Sequence, residues 1–282
     1  MNVLFFVVNY KMDDHLGRFV QSIAAAQAVC QSANVDVHVL DNSQKTEHEV
    51  MQLRSRLGVA GVSVTVHSPG TNDGYFGGLR RAQSLVPEGT DCVIYCNPDV
   101  LLDPDFLLGL ERILGSTGGV VAPTILSLKD GIDLNPQYRQ RLSEGKLRLL
   151  QWIYANRLTY VIFNELARAK ERFSGWRHRS RKAGFTSMPI YAAHGAVIIF
   201  TDVEFFRRLP AFPCFLYGEE LFVAEEARKS GVSVVYEPSL RVRDVRHVSI
   251  SQLPGEFRRS LALKSVTFIL NRYYSEHHVA DS

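Results

Sequence analysis

Two adjacent carboxylates, Glu219 and Glu220, stand in the segment PCFLYGEELFVAEEARKSG (213–231), directly after an apolar, aromatic run. A carboxylate beside apolar walls is partly desolvated, which raises its pKa and makes it a proton acceptor with real driving force near neutral pH. The chemistry this pair could do is general-base catalysis. A purely structural reading is also open. Acids suit a helix N-terminus, Arg228 and Lys229 suit its last turn, and Gly231 closes it.

Other polar clusters punctuate the chain: Asn9-Tyr10, Asp41-Asn42-Ser43, Asn72 to Gly78 (NDGYFGG) and Asn97-Pro98-Asp99. Singly, each is compatible with an ordinary turn or cap, and His247 with a structural histidine. The glycine run lacks the G-x-G-x-x-G spacing of a dinucleotide loop, and no acidic residue closes the following strand, which disfavours a nicotinamide cofactor. Cys30, Cys92, Cys96 and Cys214 lack the close spacing of zinc sites. Cys92 and Cys96 fall four apart on one strand face and read as core thiols.

The elements that must position these clusters alternate. Strands are expected at 2–9, 35–40, 62–67, 92–96 and 119–122, with helices at 16–33, 47–57, 75–85 and 104–114. Later come a strand at 192–200, a helical turn at 202–208, the helix opening at Glu219, strands at 232–236 and 240–245, and a final helix at 256–274. Apolar strands separated by helical crossovers predict an α/β fold with a mostly parallel central sheet covered by helices on both faces. Ligands of such sheets bind beyond the carboxyl ends of the strands, where the polar clusters lie.

With 282 residues, 46% of them hydrophobic, the chain has ample material for a core. Its apolar runs are strand-sized, far short of the ~20 residues that span a bilayer. Its first apolar stretch has no basic region before it and no cleavage site after it, so a cytoplasmic location is expected. Charge is segregated. Residues 137–182 hold twelve Lys and Arg against three Glu, a net +9, within a chain of net +3. Leu147, Leu150, Tyr154, Leu158, Val161, Phe163 and Leu166 recur there at roughly helical spacing, which predicts a basic amphipathic helical insert. Such an insert is either a helical cover on the main body or a docking surface, for an anionic acceptor or for anionic lipid headgroups on the inner face of the cytoplasmic membrane. No nucleic-acid module is present, and nucleic acid is not expected as a partner.

The order and spacing of the clusters carry more than any one of them. VLDNSQ (39–44), NDGYFGG (72–78), YCNPDV (95–100), HGAVIIF (194–200), FLYGEEL (215–221), YEPSLRV (236–242) and RHVSIS (246–251) follow a first strand ending at Asn9. This succession resembles the family 2 inverting glycosyltransferases of GT-A fold. The likeness is to the bacterial rhamnosyl- and galactofuranosyl-type enzymes that build surface polysaccharides such as lipopolysaccharide and capsule. It covers 1–122 and 191–251 and leaves the basic insert outside. The implied division is a nucleotide-sugar half at 1–126, the insert at 127–185, an acceptor and catalytic half at 186–251, and a C-terminal helix and tail at 252–282.

The resemblance implies roles. Asp41 would accept a hydrogen bond from the nucleobase, with Asn9 and Asn42 on the same nucleotide side, and Asp73 would make a second polar contact. Gly74, Gly77 and Gly78 would let the backbone approach the nucleotide sugar. Asn97 and Asp99 occupy the place of the family's Asp-x-Asp motif, with Asp99 and His247 holding a Mn²⁺ or Mg²⁺ ion on the diphosphate. Gly195, Ala196 and Tyr217 would line the sugar and acceptor. Glu220 would be the base and Glu219 its orienting neighbour. The implied partners are a nucleoside-diphosphate sugar, UDP- or dTDP-linked by preference, and a saccharide or lipid-linked saccharide acceptor. Two other readings stay open, a sugar nucleotidyltransferase and a non-catalytic carbohydrate-binding or assembly protein.

Overall fold

A computed structural model describes residues 1–58, 61–115, 117–174, 186–245 and 254–275, the side chains at 168 and 170–174 excepted. Strands are β1 (Asn2–Asn9), β2 (Asn34–Asp41), β3 (Ser63–His67), β4 (Cys92–Cys96), β5 (Val100–Leu102), β6 (Val120–Ser127), β7 (Met188–Pro189), β8 (Val197–Phe200) and β9 (Val234–Asp244). Helices are α1 (Asp13–Val29), α2 (Glu47–Leu57), α3 (Leu79–Ser84), α4 (Phe106–Ile113), α5 (Glu144–Ala155), α6 (Arg157–Ser174), α7 (Val203–Arg208), α8 (Glu219–Lys229) and α9 (Gly255–Tyr273).

The strands form one sheet in the order β3-β2-β1-β4-β8-β6-β9-β5, with β7 also on β9. β1 pairs in parallel with β2 and β4, β2 with β3, and β6 with β9. β8 lies antiparallel between β4 and β6. β3, β2, β1, β4, β6 and β9 therefore run one way, the mostly parallel sheet expected. β8 and β9 belong to the same sheet as the first four strands, so residues distant in sequence meet at one edge of it.

Alternation along β1 shows why both faces are covered. Leu4, Phe6 and Val8 enter a core layer with Phe206, Phe222 and Ile269, while Val3, Phe5 and Val7 enter another with Phe19, Ile23 and Phe106. Side chains of successive strand residues point to opposite faces, so a continuous apolar run needs a helix layer on each side. α3, α7, α8 and α9 supply the first layer, and α1, α2 and α4 the second. Cys92 and Cys96 are buried thiols, as their spacing suggested.

Besides the short β5 and β7, which were not expected, and an α1 that runs from Asp13 to Val29, the elements differ from expectation in four further places. The helix expected over 75–85 starts at Leu79, because 75–78 form the turn that carries the glycines. The strand expected at 192–200 is β8 alone, since Ala192 bridges to Tyr138 and the His194 N–H donates to Asn135 Oδ1, folding 192–196 into a loop. The strands at 232–236 and 240–245 are one, β9, whose register against β6 shifts between Pro123 and Thr124. The insert begins irregularly and becomes helical only at Glu144, where Ser143 caps α5 by accepting from the Lys146 N–H. His247 and the segment 246–253 lie outside the described residues, as do Arg177, Arg179, Arg181 and Lys182.

Candidate active site

α8 begins in an unusual way. Tyr217 and Gly218 precede it with φ of +69° and +83°, and Gly218 caps it without a side chain. The left-handed turn is held from behind, where Ser265 on α9 donates to the Tyr217 carbonyl at 2.6 Å. A Cβ on Gly218 would fall 2.0 Å from Ser265 Oγ, so only glycine fits. This tight turn releases the chain into α8 with Glu219 and Glu220 as its first residues.

Both residues are half-buried as a whole, but Oε2 of Glu219 is fully enclosed and has no hydrogen-bond partner. Burial pushes the Glu219 carboxyl well above the usual carboxylate range, and the neighbouring Glu220 adds to it. Burial also raises Glu220, against the opposing pull of hydrogen bonds from its own backbone N–H and that of Gly195. The loop before β8 fits closely: a Cβ on Gly195 would lie 3.0 Å from Glu220 Oε1. Each carboxylate thus meets its own backbone N–H, Glu220 meets that of Gly195 as well, and Glu219 keeps one enclosed oxygen without a partner. Tyr138, half-buried beside Glu220, is raised by burial first and by that carboxylate second. Burial likewise moves the Tyr217 phenol up to about 12.

The glycine loop reaches the same place. The Tyr75 N–H donates to the Phe215 carbonyl at 3.2 Å, and the Tyr75 hydroxyl donates to the Gly195 carbonyl at 2.5 Å. Tyr95 on β4 donates in turn to the Tyr75 carbonyl at 2.6 Å. The 72–78, 194–196 and 215–218 loops are therefore tied together around the two carboxylates. The glycines have a reason inside the chain itself. Gly74 sits at φ +78° where a Cβ would meet the Phe215 carbonyl oxygen at 2.0 Å, and a Cβ on Gly77 would meet that of Asp73 at 1.8 Å. Gly78 is tight only against Leu40, at 3.1 Å.

At the ends of β1 and β2, Asp41 is fully buried and richly partnered. Its Oδ1 accepts from Asn9 at 2.7 Å, Ser43 at 2.9 Å and Lys45 at 3.1 Å, and Oδ2 accepts from Ser68 at 3.3 Å. Three of these donors crowd Oδ1, whereas Oδ2 has a single long partner, so Oδ2 is the oxygen with capacity left for a further donor. Lys45 also bridges to Asp13 at 3.0 Å. Asn42 donates to the Gly74 carbonyl at 2.9 Å and locks the glycine loop to β2. Asp73 is half-buried, accepts from Thr71 and lies 3.7 Å from Arg81. Beside these strand ends a cleft of about 620 Å³ is lined by Lys11, Asp13, Ser43, Gln44 and Lys45, with Lys11 and Gln44 both in the left-handed backbone region.

Asn97 and Asp99 sit between β4 and β5, both half-buried, at the carboxyl edge of the parallel strands. The Asn97 N–H donates to the Ala196 carbonyl at 3.0 Å, which joins this turn to the Gly195 loop. Among the described residues no three His, Cys, Asp or Glu side chains gather as a metal cluster. A carboxylate and an amide oxygen nevertheless fit a hard divalent ion that draws its remaining ligands from a phosphate group and water. His247, the third ligand the resemblance implies, lies outside the described residues.

Sequence reasoning missed several contributors. Buried Glu225 gathers the half-buried Arg141 and Tyr191 and so fixes α8 to the segment before α5: Arg141 donates to Glu225 at 2.7 and 3.2 Å, Arg228 at 2.8 Å and Tyr191 at 2.7 Å. Arg141 had been merged into the basic segment's charge, and only tertiary contact singles it out. Tyr75 and Tyr95 lay within quoted motifs, but nothing in the sequence revealed that their hydroxyls join loops far apart in the chain.

No protein-family model matches the chain, and no curated protein matches it. Solved structures do. GalNAc-T7, solved with UDP, GalNAc and Mn²⁺, superposes with a TM-score of 0.62 at 15% identity, over 98% of this chain and 49% of that one. Staphylococcus aureus TarS 1–349, solved with UDP-GlcNAc, gives 0.56 at 8% identity over 97% and 68%. Mannosyl-3-phosphoglycerate synthase from Rubrobacter xylanophilus gives 0.54 at 16% over 100% and 77%. The chain spans about half the length of GalNAc-T7. The fold is the GT-A fold, a Rossmann-like sheet with the candidate site at its carboxyl edge.

Proposed function

We propose that the chain is an inverting glycosyltransferase that moves a sugar from a nucleoside-diphosphate donor to a hydroxyl of a saccharide or lipid-linked saccharide. The observation that carries this reading is the enclosed Glu219–Glu220 pair, set where the 72–78 and 194–196 loops meet at the carboxyl edge of a GT-A sheet. Supporting it, structures of the same fold hold UDP with Mn²⁺, or UDP-GlcNAc. Glu220 takes the proton of the acceptor hydroxyl as its oxygen forms the new bond to the anomeric carbon and the nucleoside diphosphate departs from the opposite face. Its raised pKa strengthens it as a base. Glu219 orients the hydroxyls. Asp41, Asn9, Asn42 and Asp73 shape the nucleotide side, and Gly195, Ala196 and Tyr217 line the sugar and acceptor. Asp99, Asn97 and His247 would hold Mn²⁺ or Mg²⁺, which when bound neutralises charge on the departing diphosphate. The favoured donor is a UDP- or dTDP-hexose or deoxyhexose. The setting is surface-polysaccharide assembly at the inner face of the cytoplasmic membrane.

Nucleotide release from a donor panel, with and without Mn²⁺, tests the reading. Release of nucleoside diphosphate that requires an acceptor, and that Asp99→Ala weakens, is expected. Release of pyrophosphate from a nucleoside triphosphate and sugar phosphate would instead mark a nucleotidyltransferase, and binding without turnover a carbohydrate-binding protein.

A further inference from the structure

Outside the site, the largest unexplained feature is the outward face of the α5–α6 hairpin. Among the described residues eleven large apolar side chains are exposed, and six of them are here: Leu149 and Trp152 on α5, and Leu158, Val161, Ile162 and Leu166 on α6. The last four recur at i, i+3, i+4 and i+8, which is one helical face. Glu165 interrupts that stripe once. The opposite face of α6 is already used, with Tyr160 and Phe163 packed edge-on against Tyr154 at 6.0 and 6.3 Å. A helix of a water-soluble surface points its apolar stripe inward and its charges outward. Here both faces are apolar, and the outer one has no cover among the described residues.

What covers it follows from charge. In sequence, residues 137–182 carry a net +9, whereas the rest of the chain is net acidic; seven of the twelve cations have side chains outside the described residues. Apolar side chains flanked by many Lys and Arg are the composition of a helix that lies in the bilayer interface, its apolar face among the acyl chains and its cations at anionic headgroups. Trp152, 61% exposed, belongs to the residue type favoured at that level of the membrane. Position agrees as well. The carbonyls of Tyr154 and Ala155, at the α5 end of the hairpin, accept from Arg259 on α9, at 3.0 Å for Ala155. Tyr154 and Tyr160 lie close enough to Tyr217 to perturb its ionisation, so the inner side of the hairpin borders the turn that opens α8.

We propose that the α5–α6 hairpin docks on an anionic membrane surface, placing Leu158, Val161, Ile162 and Leu166 below the headgroups and holding the Glu219–Glu220 site beside them. Docking rests on the proposed function only for its purpose, delivery of a lipid-linked acceptor to the site. The physical claim stands apart from it and is tested apart from it.

The test uses the Trp176→Phe protein, which leaves Trp152 as its single tryptophan. It is mixed with phosphatidylcholine vesicles with or without about 30% phosphatidylglycerol, and binding is followed by sedimentation and by quenching of Trp152 with brominated lipid. Co-sedimentation with the anionic vesicles, quenching, and about tenfold weaker binding on raising salt from ~0.1 to ~0.5 M are expected. Leu158→Gln/Ile162→Gln/Leu166→Gln weakens vesicle binding at least about tenfold, with an unchanged circular dichroism spectrum, and leaves transfer to a water-soluble acceptor intact. Equal binding to neutral vesicles, or none to either, overturns the proposal. So does a parent protein that self-associates in sedimentation velocity, loses that association in the triple variant and ignores vesicles, because the face is then a contact between two copies. Vesicle binding without any transfer would sink the glycosyltransferase reading and leave docking standing. Transfer without vesicle binding would do the reverse.

Discussion

Two ends of one helix treat buried carboxylates in opposite ways. In the first turn of α8, Glu219 has an enclosed oxygen with no partner and Glu220 is met only by backbone N–H groups, and burial raises both. Six residues after Glu219, the Glu225 side chain is fully buried, yet Arg141, Tyr191 and Arg228 outweigh the burial and hold it below the usual range. The first turn is also fixed by shape, through Gly74 on Phe215, Gly218 on Ser265 and Gly195 on Glu220. The second half is fixed by charge. A carboxylate surrounded by cations is stabilised as an anion and is a poor base, whereas one deprived of them keeps its affinity for a proton. The comparison separates a chemical end of α8 from an anchoring end.

The largest expected effect breaks the chemical end. Glu220→Gln should lower kcat by about 10²–10⁴-fold with donor binding nearly unchanged in calorimetry, the loss expected of a general base. A variant that keeps more than about a tenth of the rate removes Glu220 from that role. Next comes the anchoring end. Glu225→Ala leaves Arg141 without its buried partner and should destabilise the fold by about 3 kcal/mol in urea unfolding, with kcat of the remaining folded protein far less affected than in Glu220→Gln. Equal losses of rate in the two variants would erase the distinction.

Gly74→Ala should cost about 2–3 kcal/mol and slow turnover as well, because its Cβ collides with the Phe215 carbonyl in the segment that leads to Glu219. Gly70→Ala supplies the control: φ is +75° but the space is open, so only about 1 kcal/mol of backbone strain is expected. The smallest effect is the most discriminating. Glu219→Gln should stabilise the fold at neutral pH by about 1 kcal/mol, since folding then no longer has to bring a carboxylate, ionised in the unfolded chain, into an enclosed place that disfavours its charge. The sign follows from the raised pKa. Below the ordinary carboxylate value of 4.5 the parent bears no charge there and the difference vanishes; it grows as pH rises toward the folded-state pKa. Glu225 has the opposite sign, contributing stability above 4.5 that is lost as pH falls through its lowered pKa, so Glu225→Gln should blunt acid unfolding. Thermal unfolding across pH 3–8, roughly the span over which carboxylates titrate, reads both.

Much of the architecture was legible in the sequence, for reasons that differ by element. β1 was plain because six consecutive apolar residues admit a strand covered on both faces, whereas the capping box of Thr46 and Glu49 that starts α2 came to light only in the structure. β5 and β7, with three and two residues, carry too few side chains for any period to show. The 192–196 segment read as strand because Ala192 and Ala193 are buried, and burial alone does not distinguish a sheet from a loop packed on Asn135 and Tyr138. The long β9 read as two strands because Pro238 falls within it, where the shift of register against β6 accommodates it.

By itself the sequence determined what depends on neighbours along the chain. That includes the period of the strands and helices, the carboxylates behind an aromatic run, and the gathering of twelve cations between 137 and 182. Only the tertiary structure decided what depends on neighbours through space. Gly74 must be glycine because the Phe215 carbonyl approaches it, and Gly77 because the Asp73 carbonyl does. Asp41 is a buried junction of Asn9, Ser43, Lys45 and Ser68. Which glutamate of α8 keeps its proton affinity was decided by burial around Glu219 and Glu220, and which surrenders it by Arg141, Tyr191 and Arg228 around Glu225, Arg141 standing 84 residues away in the chain. The pKa of a buried carboxylate is set by the charges and donors that surround it, and those arrive from every element that folds against it.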